Sequence, residues 1–300
     1  MPTRWQLLLR PIDPTRTTHV PPAQLHGLAC NLFEGAADDH RSQTKPFSVT
    51  PLVLAPHAPG HATLALSWLS DKATPPLDKL RGSQVRLGAQ SFTVEDVQTA
   101  SAPYAALHAL PTTRRITLNF LSVTYFTRSG RWIPLPDPEL LYAGLARRWN
   151  AFAPQSLPDP LITALLTTVR LTAHELRSTP AHLGAASRTG FTGHATFTLP
   201  HTAPADVASA FTSLSAFAEA AGIGAQTTHG LGWTTTTLHH QRQPKDQSPT
   251  PVPRHGAPAT GQPRRSVVRS DRGGEEPTGS ANKAYGPANS HPRPLHTGQA

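Results

Sequence analysis

The segment 205-ADVASAFTSLSAFAEAAGIGAQTTHGLGWTTTTLHH-240 joins a helical pattern to a strand pattern through a loop rich in glycine. Its first part repeats apolar residues at the three- and four-residue spacing of one helix face: Val207, Phe211, Leu214 and Phe217. Its last part is β-branched and predicts a strand. A dinucleotide-binding fingerprint has the opposite order, with a strand before the glycines, so this loop does not indicate NAD binding.

The glycines of the loop form a mirrored pattern: Gly222 and Gly224, five residues, then Gly230 and Gly232. Glycine is used where the backbone needs a positive φ or approaches a ligand closely, and one or two would suffice for a turn. We therefore interpret the four as a ligand-binding loop whose exposed N–H groups form a concavity for phosphates. On this interpretation, bulky residues at Gly224 and Gly230 weaken ligand binding more than stability.

The side chains within the loop add candidate contacts. They are Thr227, Thr228 and His229, each of which either reaches the ligand or points to solvent.

Composition narrows the class of ligand. The chain has 300 residues and a net charge of +9, which suits two modest domains and a polyanionic partner such as nucleic acid, although a compositional bias explains the charge equally well. Cys30 is the one cysteine, which excludes an internal disulfide and a cysteine-based zinc site and fits a reducing cytoplasm. The apolar run near the first residue is too short for a signal peptide, and no stretch reaches membrane-spanning length. We expect a cytoplasmic protein without membrane contact.

Two successive sets of elements repeat one plan. Residues 1–110 show strand, helix, two strands, a short helix near 75-PPLDKL-80 and a strand, and residues 111–240 repeat this order. The order β-α-β-β-α-β predicts an α+β fold of two tandem ferredoxin-like (RRM-like) domains. Residues 241–300 are rich in Pro, Gly, Ser and Arg, and we expect a disordered tail that either adds weak RNA affinity or stays solvated.

Several motifs in this order carry a resemblance. They are 222-GIGAQTTHGLGW-233, 45-KPFSVTPL-52, 122-SVTYF-126 followed by 135-LPDPELLYAGLARRWNAFAP-154, and 190-GFTGHATFTL-199. Together they resemble the CRISPR-associated repeat endoribonucleases of the Cas6 family over roughly residues 1–240. The resemblance implies cleavage of repeat RNA in a CRISPR precursor transcript, by attack of the RNA 2′-hydroxyl and without a metal or cofactor. It implies 2′,3′-cyclic phosphate and 5′-hydroxyl ends, with precursor RNA, mature guide RNA and other Cas proteins as partners.

The resemblance also implies which residues do the chemistry. His40, in 36-AADDHRSQTKPFSV-49, occupies the place of the family's catalytic histidine, and histidine titrates near neutral pH as proton transfer requires. Lys45 would stabilise the negative charge of the transition state, or is a solvated lysine at a strand start. His26 in the first helix is the rival, with packing beside the core as its alternative role. The sequence has no tyrosine in this helix, where some family members carry one.

Further residues and alternatives remain open at this stage. The adjacent Arg147 and Arg148 face different directions on a helix, so at most one contacts RNA, and Trp149 is predicted to be a core residue. A nuclease-inactive subunit that only binds repeat RNA is the alternative to an enzyme, and His40 discriminates between them. A general RNA-binding module whose basic tail supplies the affinity is a third option.

Overall fold

The computed structural model describes residues 1–15, 20–33, 44–72, 74–184 and 186–239. All of these residues belong to one compact unit. Residues 241–300, for which the sequence predicts disorder, lie outside the described part of the chain. No described helix combines the length and the apolar character that crossing a bilayer requires.

The first half folds into an antiparallel sheet covered by one helix. Its elements are β1 (Thr3–Pro11), α1 (Pro22–Phe33), β2 (Phe47–Val49), β3 (Val53–Leu54), β4 (Ala62–Trp68), a 3-10 turn (Leu77–Leu80), β5 (Gln84–Leu87) and β6 (Gln90–Ser101). The strands lie in the order β2-β4-β1-β6-β5, and β3 also pairs with β4. Side chains that alternate along β1, including Leu7 and Leu9, are buried against the apolar face of α1.

The second half repeats this arrangement after a short helix. Its elements are α2 (Tyr104–His108), β7 (Arg115–Thr124), β8 (Phe126–Arg128), β9 (Arg131–Ile133), α3 (Pro138–Phe152), α4 (Asp159–Thr168), β10 (Arg170–Leu183), β11 (Ala186–Thr198), α5 (Ala205–Ala221), a 3-10 turn (Thr227–His229) and β12 (Thr234–Leu238). The main sheet has the order β10-β11-β7-β12, while β8 and β9 form a separate hairpin.

In each sheet, the four strands of the repeated plan lie in the spatial order second, third, first, fourth. This is the ferredoxin-like strand order. The prediction of two tandem ferredoxin-like domains is confirmed. The boundaries at residues 110 and 240 stay predictions, since both sheets belong to the same compact unit.

Several elements differ from the sequence-based expectation. The helix predicted near Pro75–Leu80 is a single 3-10 turn, because prolines precede it and Gly82, with φ +79°, follows one residue after its end. Helices α2 and α4 and the β8–β9 hairpin have no counterpart in the predicted pattern. The start of α3 is as predicted: the Asp137 side chain accepts a hydrogen bond from the Leu140 N–H at 3.0 Å, with Pro138 in the first turn.

Candidate nucleic-acid interface and active site

The four glycines of the loop 222–232 all adopt the left-handed region. Their φ values are 70°, 83°, 88° and 70° at Gly222, Gly224, Gly230 and Gly232. A Cβ at Gly232 would lie 1.9 Å from the carbonyl oxygen of Ile223, and one at Gly224 would lie 2.5 Å from that of Tyr125. The expectation that one or two glycines would suffice for this turn is therefore wrong, because the path of the loop itself requires all four.

Hydrogen bonds inside the protein use several N–H groups of the loop. The Ile223 N–H donates to the Gly232 carbonyl at 2.9 Å, and the Gly232 N–H donates to Val123 at 3.0 Å. The Ala225 N–H donates to the Tyr125 carbonyl at 2.9 Å. These hydrogen bonds hold the loop against the end of β7. Of the four glycines, only Gly224 is exposed. A side chain at Gly224 would therefore cost stability, and the expectation that bulky residues at Gly224 and Gly230 weaken ligand binding more than stability stays a prediction.

Arg148 on α3 joins the loop to the first half of the chain. Its Nη1 donates to the Ala221 carbonyl and to Thr227 Oγ1 at 3.0 Å, and its Nη2 donates to the Phe47 carbonyl at 3.1 Å. Burial is the main cause that lowers the pKa of Arg148, to about 10, so the guanidinium stays charged at neutral pH. Arg148 and the buried Thr227 thus hold the loop against β2.

His26 on α1 makes the second connection to the loop. Its Nδ1 lies 3.2 Å from the Thr228 carbonyl, so Nδ1–H is the donor. Its ring stacks on that of His229 with centroids 4.0 Å apart and an interplanar angle of 6°. Burial, followed by the neighbouring His26, lowers the pKa of His229 to about 4, so His229 is neutral at pH 7. Cys30 Sγ lies 3.4 Å from the other ring nitrogen of His26.

The structure places the predicted catalytic residues as follows. Lys45 is partly exposed and lies two residues before Phe47, the first residue of β2, whose carbonyl accepts a hydrogen bond from Arg148. His40 lies outside the described residues. The structure thus brings His26, Thr228 and His229 together and places the strand that follows Lys45 next to them.

A groove of about 150 Å³ opens beside the loop. The glycine loop, α3 and β8 line it, with Gly224, Ala225, Arg147 and Thr127 among the contributing residues. Arg147 is exposed, in contrast to Arg148, so Arg147 is the arginine of the pair that is available to a phosphate. Trp149 is 3% exposed, which confirms its prediction as a core residue.

Sequence reasoning missed three residues near this groove: Tyr125, Trp132 and Arg188. Tyr125 is fully buried, and its carbonyl braces the loop. Trp132 and Arg188 stack on each other although they lie far apart in sequence. The Ser-Gly pair between the strands of the hairpin is the one sequence signal that points to Trp132, because such pairs favour two-residue turns.

Comparisons with known proteins agree with the motifs. Residues 118–234 match the family model for "CRISPR-associated endoribonuclease Cas6". A curated protein of that name from Mycobacterium tuberculosis (strain CDC 1551 / Oshkosh) is 30% identical over 239 residues, which are 74% of this chain and 73% of the relative.

Solved structures share the fold. The "Cas6 (TTHA0078) product complex" has a TM-score of 0.68 and 28% identity, covering 79% of this chain and 100% of that chain. "Thermus thermophilus Cas6 (TTHB231)" has a TM-score of 0.61 and 26% identity, covering 79% of this chain and 98% of that chain. With the tandem fold, the glycine loop and these relatives in agreement, the chain belongs to the Cas6 family of CRISPR-associated endoribonucleases, which process CRISPR RNA.

Proposed function

We propose that this chain cleaves the repeats of a CRISPR precursor transcript without a metal ion, using the RNA 2′-hydroxyl as the nucleophile. The observation that carries the proposal is the pair of connections that hold the glycine loop between α1 and β2. Through Arg148 and His26, the loop is held against β2 and α1, the two elements between which His40 lies in the sequence. On this proposal, His40 and Lys45 act on a phosphate that is bound along the loop.

The proposed chemistry is an intramolecular transesterification. The 2′-oxygen attacks the adjacent phosphorus as its proton leaves, the bond from phosphorus to the 5′-oxygen breaks, and that oxygen takes up a proton. The products are a 2′,3′-cyclic phosphate and a 5′-hydroxyl. Such a step needs proton transfer near neutral pH, which His40 would supply, and positive charge beside the anionic phosphorane, which Lys45 would supply.

His26 is the less suitable of the two histidines for proton transfer. Its Nδ1–H already donates to the Thr228 carbonyl, and Cys30 Sγ lies beside its Nε2. One face of its ring is covered by His229. These contacts suit a residue that docks the loop on α1, so we assign the catalytic role to His40 and keep His26 as the alternative.

The proposed RNA surface follows from exposure. Gly222, Gly230, Gly232 and Thr227 are buried, so we assign them to the fold of the loop. Gly224, Thr228 and His229 remain as the candidate contacts on the loop, together with Arg147 in the adjoining groove. On this proposal the substrate is precursor RNA and the product is guide RNA, in the cytoplasm, with other Cas proteins as further partners.

Replacing His40 by Ala tests the assignment. Cleavage of the repeat RNA should fall by about 10²–10⁴-fold, because a proton-transfer group is lost, while repeat affinity stays close to that of the wild type. The matched variant His26→Ala should retain most of the cleavage rate, measured in the same single-turnover assay in EDTA. Wild-type cleavage by His40→Ala together with loss of cleavage in His26→Ala would transfer the role to His26. Binding without cleavage by the wild type would support the nuclease-inactive alternative.

A further inference from the structure

The β8–β9 hairpin holds an exposed tryptophan beside the groove. Ser129 and Gly130 form its two-residue turn, with φ values of 50° and 75°. Phe126 at the base of the hairpin is 4% exposed and packs into the core, whereas Trp132 is 50% exposed. Trp132 is the one exposed aromatic residue among Phe, Tyr and Trp in the described parts of the chain. The hairpin is therefore anchored at its base and presents an aromatic ring to solvent.

Arg188 on β11 supports this ring from one side. Its guanidinium carbon lies 4.4 Å from the centroid of the Trp132 ring, and its Nη1 donates to the Tyr125 hydroxyl at 3.1 Å. The Tyr125 carbonyl accepts the hydrogen bond from Ala225 that braces the glycine loop. Tyr125 thus bonds both to the Trp132–Arg188 stack and to the glycine loop, which defines the position of the stack relative to the loop.

The groove leads from the glycine loop to the hairpin. Thr127 lines the groove and pairs directly with Trp132 across the hairpin. Directly paired residues of an antiparallel ladder point to the same face, so the Trp132 side chain lies on the face that carries the groove-lining Thr127. An RNA strand that lies in the groove and leaves it on this side would contact the indole ring of Trp132.

Positive charge surrounds this end of the groove. Arg128 and Arg131 are both exposed on the hairpin, and Glu139 is 3.6 Å from Arg128. Within the described residues, no carboxylate forms an ion pair with Arg131 or Arg188. An aromatic ring bordered by arginines suits a nucleotide, because bases stack on aromatic faces while arginines attract phosphates.

We propose that Trp132, supported by Arg188, is a stacking platform for an unpaired nucleobase of the RNA whose backbone lies along the glycine loop. Arg188 covers one face of the indole ring, and the base takes the other face. This inference rests on the proposed function for its ligand, and it adds a binding subsite outside the loop and the catalytic segment.

Replacing Trp132 by Ala should weaken repeat RNA binding by about tenfold to a hundredfold, as expected for the loss of one base–aromatic stack. Trp132→Phe, which keeps an aromatic face, should retain most of the affinity. The matched control is Leu135→Ala, because Leu135 is another large apolar residue in this region, 61% exposed, outside the stack. Its affinity should equal that of the wild type. Fluorescence anisotropy gives the affinities, and thermal unfolding verifies that all three variants fold.

A second measurement needs no variant. Repeat RNAs that carry 2-aminopurine at successive unpaired positions should show strong fluorescence quenching at one position on binding to the wild-type protein. If no position is quenched, or if Trp132→Ala folds and binds like the wild type while wild-type cleavage proceeds, the platform is wrong and the proposed function stands. If the wild type binds no repeat RNA, the proposed function and the platform both fall.

Discussion

The adjacent residues Arg147 and Arg148 lie in different environments: the side chain of Arg147 is exposed, and that of Arg148 is hydrogen-bonded inside the protein. A helix turns by about 100° per residue, so the sequence predicts that the two face different directions and that only one contacts RNA. It does not indicate which one, because the acceptors of Arg148 are carbonyls of Phe47 and Ala221, which lie about a hundred and about seventy residues away along the chain. The tertiary fold alone makes Arg148 structural and leaves Arg147 exposed.

The stacked pair His26 and His229 leads to a prediction about pH. The pKa of His229 is about 4 in the folded chain and about 6.5 when unfolded, so between these values the unfolded chain binds a proton that the folded chain does not. The contribution of His229 to the free energy of unfolding is thus fully present above pH 6.5 and decreases as the pH falls towards 4. His229→Phe keeps a ring against His26 and removes the titration.

Thermal unfolding at pH 7.5 and pH 5 measures this effect. The wild type should lose more Tm than His229→Phe between the two values, because only the wild type gains a proton at this site on unfolding. Equal losses of Tm in the two proteins would mean that His229 is as easily protonated in the folded chain as in the unfolded one.

At the scale of elements, the order of helices and strands is well predicted by local patterns. The bounds of α5, Ala205–Ala221, coincide with the predicted helical segment, since its apolar face and the following glycine are both local signals. Helix α4 escapes prediction because 160-PLITALLTTVRL-171 is an apolar, β-branched run that suits helix or strand equally. The reason for the four glycines also escapes prediction, because Val123 near the end of β7 and Tyr125 just after this strand lie far from the loop in sequence.

The glycine loop yields a stability prediction. Gly232→Ala should lower the free energy of unfolding by more than about 2 kcal/mol, because its Cβ would collide with the Ile223 carbonyl in addition to the strained φ. Gly60→Ala is the matched control, since Gly60 has φ +76° and nothing within 4 Å of the added Cβ. It should cost only about 1 kcal/mol.

Urea unfolding of the two variants and the wild type gives these free energies. Equal destabilisation by Gly232→Ala and Gly60→Ala would show that positive φ alone accounts for the loop, and that the close approach of Gly232 to Ile223 has no energetic weight.

At the scale of the whole molecule, two sheets with separate apolar clusters meet at a junction that includes the glycine loop. The sequence predicts the two copies of the plan, since each copy has its own helix and strand patterns. It does not predict how they meet, because the contacts of His26 with Thr228 and of Arg148 with Phe47 link positions far apart in the chain. The candidate site lies at this junction, which is why its residue types could be predicted and its geometry could not.

The most direct test of the proposed mechanism is the cleavage of a repeat RNA that carries a single 2′-deoxy sugar immediately 5′ of the cut, assayed in EDTA beside the unmodified RNA. If the RNA 2′-hydroxyl is the nucleophile, both RNAs should bind with similar affinity and the unmodified RNA should be cut at its full rate. The deoxy RNA should stay intact, because its nucleophile is missing. Cleavage of the deoxy RNA at the same phosphate would contradict attack by the 2′-hydroxyl.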